Sequence, residues 1–286
     1  MKLQNRYAVI TGASRGLGAS IAEHFIAEGA TVMLCARSLK LLQQLQNKWA
    51  PLLSKDQQIH VHKTDVAKPE EVDRLFETTF RAFPRLDILV TNAGIYGPMG
   101  ALEEIDWKEW QKAITINLMG TVYPCRAVMK HFKKNHYGKI INISGGGATS
   151  PMPRLSAYAA GKAAVVRFTE SLALEVAGDR IDVNAVAPGA LATRMTDELL
   201  AAGPEKVGAR FYERMVKIKE EGGTPLEKGA KLCVYLASRE SDGVTGRLIS
   251  AVWDPWPFSN EAKSSFKETD IYTLRRITEK DRGKKW

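Results

Sequence analysis

The alternation of two kinds of segment along the chain constrains its fold more than any other feature. Short β-branched runs are separated by helix-length amphipathic runs over most of its length. A strand, a helix and a second strand in succession form a right-handed crossover, which makes the strands parallel and places helices on both faces of the sheet. The sequence therefore predicts a three-layer, doubly wound α/β fold. The predicted strands are Tyr7–Thr11, Thr31–Ala36, Ile59–Lys63, Leu86–Thr91, Lys139–Ser144, Ile181–Ala187 and Arg247–Val252.

The domain organisation follows from the length and from the absence of breaks in this pattern. A chain of 286 residues suits one large α/β domain, and no internal repeat or linker precedes its last part. We predict one domain over residues 1–255, with a helical segment at about 190–223, and a tail over residues 256–286. The predicted helices are Leu17–Glu28, Leu39–Trp49, a run beginning near Pro69, Trp107–Phe132 and Tyr158–Val176.

The composition excludes several classes of protein. Hydrophobic residues make up 44% of the chain and charged residues 26%, and no apolar stretch reaches the roughly 18 residues of a membrane span. The segment Met1–Arg6 lacks the apolar core of a signal peptide. Cys35, Cys125 and Cys233 are too scattered for a disulfide framework or a zinc site. We expect a cytoplasmic protein with no membrane association and no metal centre.

The charge balance is unusual, because 41 Lys and Arg residues stand against 32 Asp and Glu residues, a formal net charge of +9. Residues 256–286 carry +3 of this charge and the rest of the chain carries +6. A basic surface attracts polyanions, so nucleic-acid binding is one interpretation. The chain has no recognised nucleic-acid motif and no helix with concentrated Lys and Arg, so we expect no nucleic-acid partner.

The turn after the first predicted strand is rich in glycine. It reads Thr-Gly-Ala-Ser-Arg-Gly-Leu-Gly over residues 11–18 and leads into the first helix. Glycines let the backbone turn tightly and approach a pyrophosphate, whose charge meets the free N–H groups of the helix N-terminus. The lysine of an ATP-binding loop is missing. We predict a dinucleotide site with contacts from Gly12, Ser14, Arg15, Gly16, Leu17 and Gly18.

The end of the second predicted strand distinguishes between the two nicotinamide cofactors. A carboxylate here accepts hydrogen bonds from the ribose of NAD(H), and it repels the 2′-phosphate of NADP(H). In this chain the strand ends at Ala36 and is followed by Arg37, whose guanidinium suits a phosphate, and Arg15 is a second candidate cation. The sequence therefore favours NADP(H) over NAD(H).

Tyr158 and Lys162 lie one helical turn apart in the run Tyr-Ala-Ala-Gly-Lys. A cation beside a phenol stabilises the phenolate and lowers a pKa that is ordinarily about 10. We therefore expect Tyr158 to act as an acid or a base near neutral pH.

Together these motifs resemble the short-chain dehydrogenase/reductase family over roughly residues 3–253, and they occur in the family's order. The resemblance implies a single Rossmann-like domain that transfers hydride between a nicotinamide and a carbonyl or secondary alcohol. Asp65-Val66 resembles the family's adenine-contacting position, and Asn92-Ala93-Gly94 its motif at the end of the sheet. Further cofactor contacts implied by the resemblance are Tyr158, Lys162, Pro188, Gly189 and Thr193.

The resemblance also implies catalytic roles for three residues. Tyr158 protonates the developing alkoxide during reduction, or deprotonates the alcohol during oxidation. Lys162 binds the nicotinamide ribose and lowers the pKa of the tyrosine. Asn117 is similar to the asparagine that positions a water molecule for proton relay.

One position departs from the family pattern. The serine that hydrogen-bonds the substrate oxygen aligns with Gly145, and Ser144 precedes it. Adjacent residues at a strand end point in opposite directions, although the glycines of residues 145–147 allow a local shift. Ser144, another hydroxyl such as Thr149, or no residue takes this role. The chain is therefore an active NADP(H)-dependent oxidoreductase or, alternatively, a catalytically weak NADP-binding sensor or scaffold.

Residues 190–223 follow the strand Ile181–Ala187 and have a helical pattern. Ligands of doubly wound sheets bind beyond the carboxyl ends of the strands, so this segment is placed to cover the substrate. We predict a lid whose apolar face consists of Met195, Leu199, Leu200, Phe211, Tyr212 and Met215. The candidates for binding an anionic substrate are Arg154, Arg194 and Arg210.

Aromatic residues and prolines are crowded in the run Trp-Asp-Pro-Trp-Pro-Phe over residues 253–258, a composition typical of subunit or domain contacts. The resemblance implies a homotetramer or a homodimer. The tail after this run either packs across a neighbouring subunit or is a mobile basic arm.

Overall fold

The predicted parallel sheet is present in the computed structural model, which describes residues 1–284; the final two residues of the predicted tail, Lys285 and Trp286, lie outside the described residues. Within residues 1–284 the sheet has seven strands in the order β3-β2-β1-β4-β5-β6-β7, and all neighbouring strands are parallel. The strands are β1 (Tyr7–Thr11), β2 (Thr31–Ala36), β3 (Ile59–Lys63), β4 (Ile88–Thr91), β5 (Gly138–Ile143), β6 (Ile181–Ala187) and β7 (Leu248–Ser250).

Helices cover both faces of this sheet, as the alternating pattern predicted. Successive residues of a strand point to opposite faces, so Ala8 and Ile10 of β1 belong to one core and Val9 belongs to the other. No helix within residues 1–284 is long and apolar enough to cross a membrane. The helices are α1 (Gly16–Ala27), α2 (Leu39–Trp49), α3 (Pro69–Ala82), α4 (Trp107–Ile114), α5 (Gly120–Asn135), α6 (Ser156–Glu175), α7 (Arg194–Ala202), α8 (Pro204–Val207), α9 (Ala209–Glu220), α10 (Leu226–Ala237) and α11 (Asn260–Ser265).

The strand order places the carboxyl ends of β1 and β4 side by side at the point where the order reverses, which is where ligands bind in open α/β sheets. Asn92 follows β4 directly. Its side-chain amide donates hydrogen bonds to the carbonyl oxygens of Thr11 at 3.1 Å and Gly12 at 3.2 Å. The glycine turn is therefore held against the end of β4.

The predicted helix Trp107–Phe132 contains a π-helical turn in the structure. The helix α4 ends at Ile114, a π-helical turn covers Thr115–Met119, and α5 continues from Gly120. Asn117 lies in this turn, and its side chain pairs with the backbone of a loop far away in sequence. The chain is helical throughout this stretch, as predicted, but the π-helical turn was not predicted, because helical periodicity does not record such long-range contacts.

The segment over residues 190–223 is helical, as predicted, and comprises α7, α8 and α9 beyond β6. Leu191 and Gly223 form an isolated antiparallel bridge that brings the two ends of the segment together. The two ends of the segment are thus joined by backbone pairing.

The described part of the tail packs against its own chain. The guanidinium of Arg247, just before β7, donates hydrogen bonds to the carbonyl oxygens of Thr269 at 3.0 Å and Ile271 at 2.7 Å. The N–H of Leu248 donates to the carbonyl of Tyr272 at 2.8 Å. These contacts contradict a mobile arm for this stretch, and packing across a neighbouring subunit stays a prediction.

Candidate active site

A large cavity, about 1840 Å³ in volume, lies at the carboxyl ends of the strands. It brings together segments that follow β1, β2, β3, β4, β5 and β6, which are far apart in the sequence. The predicted cofactor contacts that line it are Gly12, Ser14, Arg15, Gly16, Leu17, Arg37, Asp65, Val66, Asn92, Ala93, Gly94, Tyr158, Lys162, Pro188, Gly189 and Thr193.

The glycine turn depends on its glycines for two separate reasons. Gly12 and Gly16 have φ values of +63° and +56°, a backbone conformation that other residues rarely adopt. Gly18 is a packing residue, since a Cβ at this position would lie 2.4 Å from both the Asn92 amide nitrogen and the Gly12 carbonyl oxygen. It is not among the residues that line the cavity, and the predicted cofactor contact at Gly18 stays a prediction.

Two arginines provide positive charge at the part of the cavity near β2. Arg15 precedes α1 and Arg37 follows β2, and both side chains are exposed. Neither side chain has a hydrogen-bond or ion-pair partner among residues 1–284. The nearby Asp65 carboxylate accepts a hydrogen bond from the N–H of Ala67 at 3.0 Å. Free guanidinium groups beside a glycine turn at a helix N-terminus fit a dinucleotide that carries phosphates.

Tyr158 lies on α6, and its hydroxyl reaches the backbone at the end of β5. A Cβ on Gly145 would lie 2.7 Å from the Tyr158 hydroxyl, so the phenol occupies space that any other residue at position 145 would need. Burial raises the pKa of Tyr158, and the nearby Tyr96 raises it further. The phenol is therefore protonated near neutral pH, which is the form that a proton donor requires.

Lys162 lies one turn further along α6 and is buried. Its ammonium donates a hydrogen bond to the carbonyl oxygen of Ile143 at 2.8 Å and lies 5.8 Å from the centroid of the Tyr158 ring. Burial lowers the pKa of Lys162 to about 8. The causes of the raised Tyr158 pKa are burial and Tyr96, and the expectation that Lys162 lowers this pKa stays a prediction.

Asn117 is buried and does not line the cavity. Its amide oxygen accepts a hydrogen bond from the N–H of Ile95 at 3.0 Å, and its amide nitrogen donates to the carbonyl of Ile95 at 2.8 Å. A Cβ on Gly161 of α6 would lie 3.1 Å from the Asn117 Cβ. Asn117 therefore connects the loop after β4 to the helix that carries Tyr158, and its role toward a water molecule remains a prediction.

The hydroxyls considered in place of the missing serine have different environments. Ser144 is buried, and its hydroxyl donates to the backbone carbonyl of Lys162 at 3.2 Å. It is thus engaged with α6, as the opposite directions of adjacent strand residues suggest. Thr149 is exposed at the wall of the cavity, after a short 3-10 turn over Gly146–Ala148.

The predicted lid residues divide into two groups. Met195, Phe211 and Met215 line the cavity. Leu199, Leu200 and Tyr212 do not line it, and they pack in one apolar cluster with Phe211 and Met215. The lining also contains residues that the sequence analysis missed. Among these, Tyr96 was detectable because it follows the Asn-Ala-Gly motif by two positions, while Trp253 and Tyr272 were not. The missed residues include Tyr96, Met152, Arg214, Trp253 and Tyr272.

The candidate arginines for an anionic substrate all line the cavity, but they are not equally available. Arg194 pairs with Glu198 at 2.8 Å, and Arg154 donates to the backbone carbonyl of Glu205 at 2.7 Å. Arg210 has no side-chain partner in the part of the chain that the structure describes, and the same holds for Arg214 one turn later on α9. The unpaired positive charge of the lid is therefore concentrated on α9.

Comparison with known proteins agrees with this geometry. A family model described as short chain dehydrogenase matches residues 6–203. The 3beta-hydroxysteroid dehydrogenase 1 of Eggerthella lenta is 36% identical over 256 residues, 86% of this chain and 92% of that protein. Glucose 1-dehydrogenase 2 of Bacillus subtilis is 30% identical over 256 residues, 86% of this chain and 93% of that protein. The crystal structure of levodione reductase superposes with a TM-score of 0.78 at 26% identity, covering 87% of this chain and 96% of that one. The chain therefore belongs to the short-chain dehydrogenase family.

Proposed function

We propose that the protein is an NADP(H)-dependent oxidoreductase that transfers hydride between a nicotinamide and a small-molecule carbonyl or secondary alcohol. One observation carries this proposal. The protonated phenol of Tyr158 lies in the same cavity as the glycine turn and the ammonium of Lys162. A proton donor, a dinucleotide cradle and a cation thus converge where the sheet order reverses.

Each of these residues has a separate role in the proposed reaction. A nicotinamide, when bound, supplies or accepts the hydride. Because its pKa is raised, Tyr158 is protonated near neutral pH. During reduction it gives this proton to the carbonyl oxygen as negative charge develops there. Lys162 hydrogen-bonds the ribose, and its positive charge favours the phenolate that forms. The glycine turn and the N-terminus of α1 hold the pyrophosphate.

The preference for NADP(H) is supported by the free guanidinium of Arg37, with that of Arg15 nearby. Hydrogen bonds to charged groups contribute about 1.5–3 kcal/mol, so loss of Arg37 should weaken the binding of NADPH more than the binding of NADH. We expect the ratio of kcat/KM for NADPH to that for NADH to fall roughly 10- to 100-fold in Arg37→Gln. A wild-type preference for NADH would refute this part of the proposal.

The test of the oxidoreductase itself is NADPH consumption over a panel of aldehydes and ketones, compared between wild type and Tyr158→Phe. Loss of the general acid should lower kcat on the order of 10²- to 10⁴-fold while the Kd for NADPH, measured by fluorescence, stays the same. Activity that survives the substitution would contradict the chemistry assigned to Tyr158.

The alternative function, a weakly active NADP-binding sensor or scaffold, is favoured by the missing side chain at Gly145. It predicts a measurable Kd for NADPH with no consumption across the same panel. Retention of Asn117, Tyr158 and Lys162 favours the enzyme.

We further propose that residues 190–223 act as the substrate lid of a single domain over residues 1–255, in a cytoplasmic homodimer or homotetramer without nucleic-acid or membrane partners. The proposed assembly rests on the resemblance to the family, and the large apolar side chains Trp107 on α4 and Leu174 on α6 are exposed at 58% and 80%. Light scattering at several concentrations tests the assembly, and a monomer at all of them would exclude it.

A further inference from the structure

The site described above lacks a second hydrogen-bond donor for the substrate oxygen. During reduction the substrate oxygen gains negative charge, and hydrogen-bond donors aimed at it stabilise the transition state. Tyr158 is one such donor. Gly145 offers no side chain, and the hydroxyl of Ser144 is already bonded to the Lys162 carbonyl. Thr149 lines the cavity but is exposed to solvent, so a better shielded second donor has to come from another element than the segment after β5.

Tyr96 lies in the loop after β4, two residues beyond Gly94. The preceding residue, Ile95, is held at both its N–H and its carbonyl by the side chain of Asn117. This buried anchor fixes the backbone from which Tyr96 projects. The ring of Tyr96 packs against the ring of Tyr158, with centroids 4.8 Å apart and planes at 59°. Tyr96 therefore stands beside the proton donor on a rigid support.

The hydroxyl of Tyr96 is available for a ligand. The residue lines the cavity, and its hydroxyl has no hydrogen-bond partner among the residues that the structure describes. Burial raises the pKa of Tyr96, so the phenol keeps its proton near neutral pH and acts as a donor. Tyr96 is half-buried at the cavity wall, so a ligand bound there can accept a hydrogen bond from its hydroxyl. The Tyr158 hydroxyl also has no hydrogen-bond partner among the described residues, so two unpartnered phenols lie side by side.

We propose that Tyr96 is a second catalytic residue, whose hydroxyl donates a hydrogen bond to the substrate oxygen that Tyr158 protonates. The inference rests on the proposed oxidoreductase function. In reduction the carbonyl carbon gains the hydride of the nicotinamide, the C=O π bond becomes a lone pair on oxygen, and that oxygen takes the proton from Tyr158. Tyr96 keeps its own proton throughout, so it stabilises the developing charge without being consumed.

This assignment gives Gly145 a physical explanation. The Tyr158 hydroxyl lies against the backbone of Gly145, where a side chain would displace it. Placing the second donor on the loop after β4 leaves that space to Tyr158. The donor function is thus moved from β5 to the β4 loop, and the lack of serine does not make the protein a weak enzyme.

The test is Tyr96→Phe, which removes the hydroxyl and keeps the ring that packs on Tyr158. Removal of one donor to a developing oxyanion costs about 10²- to 10³-fold in kcat. We expect a loss of this size with the best carbonyl substrate of the panel, while the Kd for NADPH changes less than about threefold. The matched control is Tyr7→Phe, a tyrosine of β1 that packs on Phe83 at 5.3 Å away from the cavity, and we expect it to retain wild-type kcat.

A kinetic isotope effect separates a chemical role from a structural one. With NADPH deuterated at the transferred position, the isotope effect on kcat should be at least as large in Tyr96→Phe as in wild type, because hydride transfer becomes the slow step. A thermal midpoint equal to that of wild type shows that the variant is folded.

The possible failures are distinguishable. Wild-type kcat in Tyr96→Phe, or a loss confined to the Kd for NADPH, overturns the role of Tyr96 and leaves the proposed function intact. If wild type turns over no carbonyl and no alcohol, the proposed function and this inference fail together.

Discussion

The cavity has two ends that are built in different ways. The proposed cofactor end consists of backbone and buried contacts, where Asn92 binds the carbonyls of Thr11 and Gly12 and where Gly18 leaves no room for a side chain. The proposed substrate end consists of side chains on short helices and after β7, with Arg210 exposed on α9 and Trp253 85% exposed. One end is determined by the backbone, and the other by side chains.

A sequence motif describes the first of these two ends better than the second. A dinucleotide has one shape, so the turn that holds it tolerates little change and its glycines recur at fixed spacing. Substrates differ, and the relatives of this chain are named for a hydroxysteroid, for glucose and for levodione. Membership of the family therefore indicates a nicotinamide cofactor and does not identify the substrate.

The strongest test of the rigid end is Gly18→Ala. The added methyl would meet a backbone oxygen and a bonded amide, neither of which moves easily, so we expect the free energy of unfolding to fall by about 1–3 kcal/mol. NADPH affinity should fall with it, because the glycine turn is displaced. Urea unfolding and fluorescence titration measure the two effects.

The matched control for this substitution is Gly178→Ala, at an exposed glycine with no atom within 4 Å of its added Cβ. Its free energy of unfolding should stay within about 0.5 kcal/mol of wild type. Equal effects of the two substitutions would show that the cofactor end is no more rigid than the surface.

Between the two ends lies Lys162, whose charge should impose a pH dependence. Burial lowers its pKa to about 8, so the ammonium is present below this pH and is lost above it. With NADPH as the varied substrate, kcat/KM reports the free enzyme and should fall roughly tenfold per pH unit above about pH 8. A flat profile up to pH 9.5 would mean that the charge of Lys162 does not assist cofactor binding.

The smallest effect is expected at the substrate end, in Arg210→Gln. An exposed guanidinium contributes about 0.2–1 kcal/mol, so the KM for a keto acid should rise about two- to fivefold while that for its neutral methyl ester stays constant. Arg126→Gln, on the exposed side of α5, is the matched control. An equal rise for acid and ester would remove the proposed anion preference of the lid.

Much of the fold was predictable because its signals are local. The strands β1, β2, β3 and β6 begin and end where the β-branched runs do. The glycine turn, Arg37 and the pair Tyr158 and Lys162 were also predicted, and the structure brings them to one cavity. The π-helical turn at Asn117 was not predictable from local periodicity, and the Asn117 side chain there pairs with the backbone of a loop 22 residues away.

The sequence by itself determined the parallel α/β architecture and the kind of site, because periodicity, glycine turns and i, i+4 pairs act over a few residues. The pKa values and contacts of the proposed catalytic groups depend on tertiary packing. The pKa of Tyr158 rises because burial removes its hydration, and the tail lies against β7 because Arg247 binds its carbonyls. Tyr96 stands beside Tyr158 because the loop after β4 and helix α6 meet at one sheet edge. Burial and long-range contact are properties of the packed chain, and no local pattern records them.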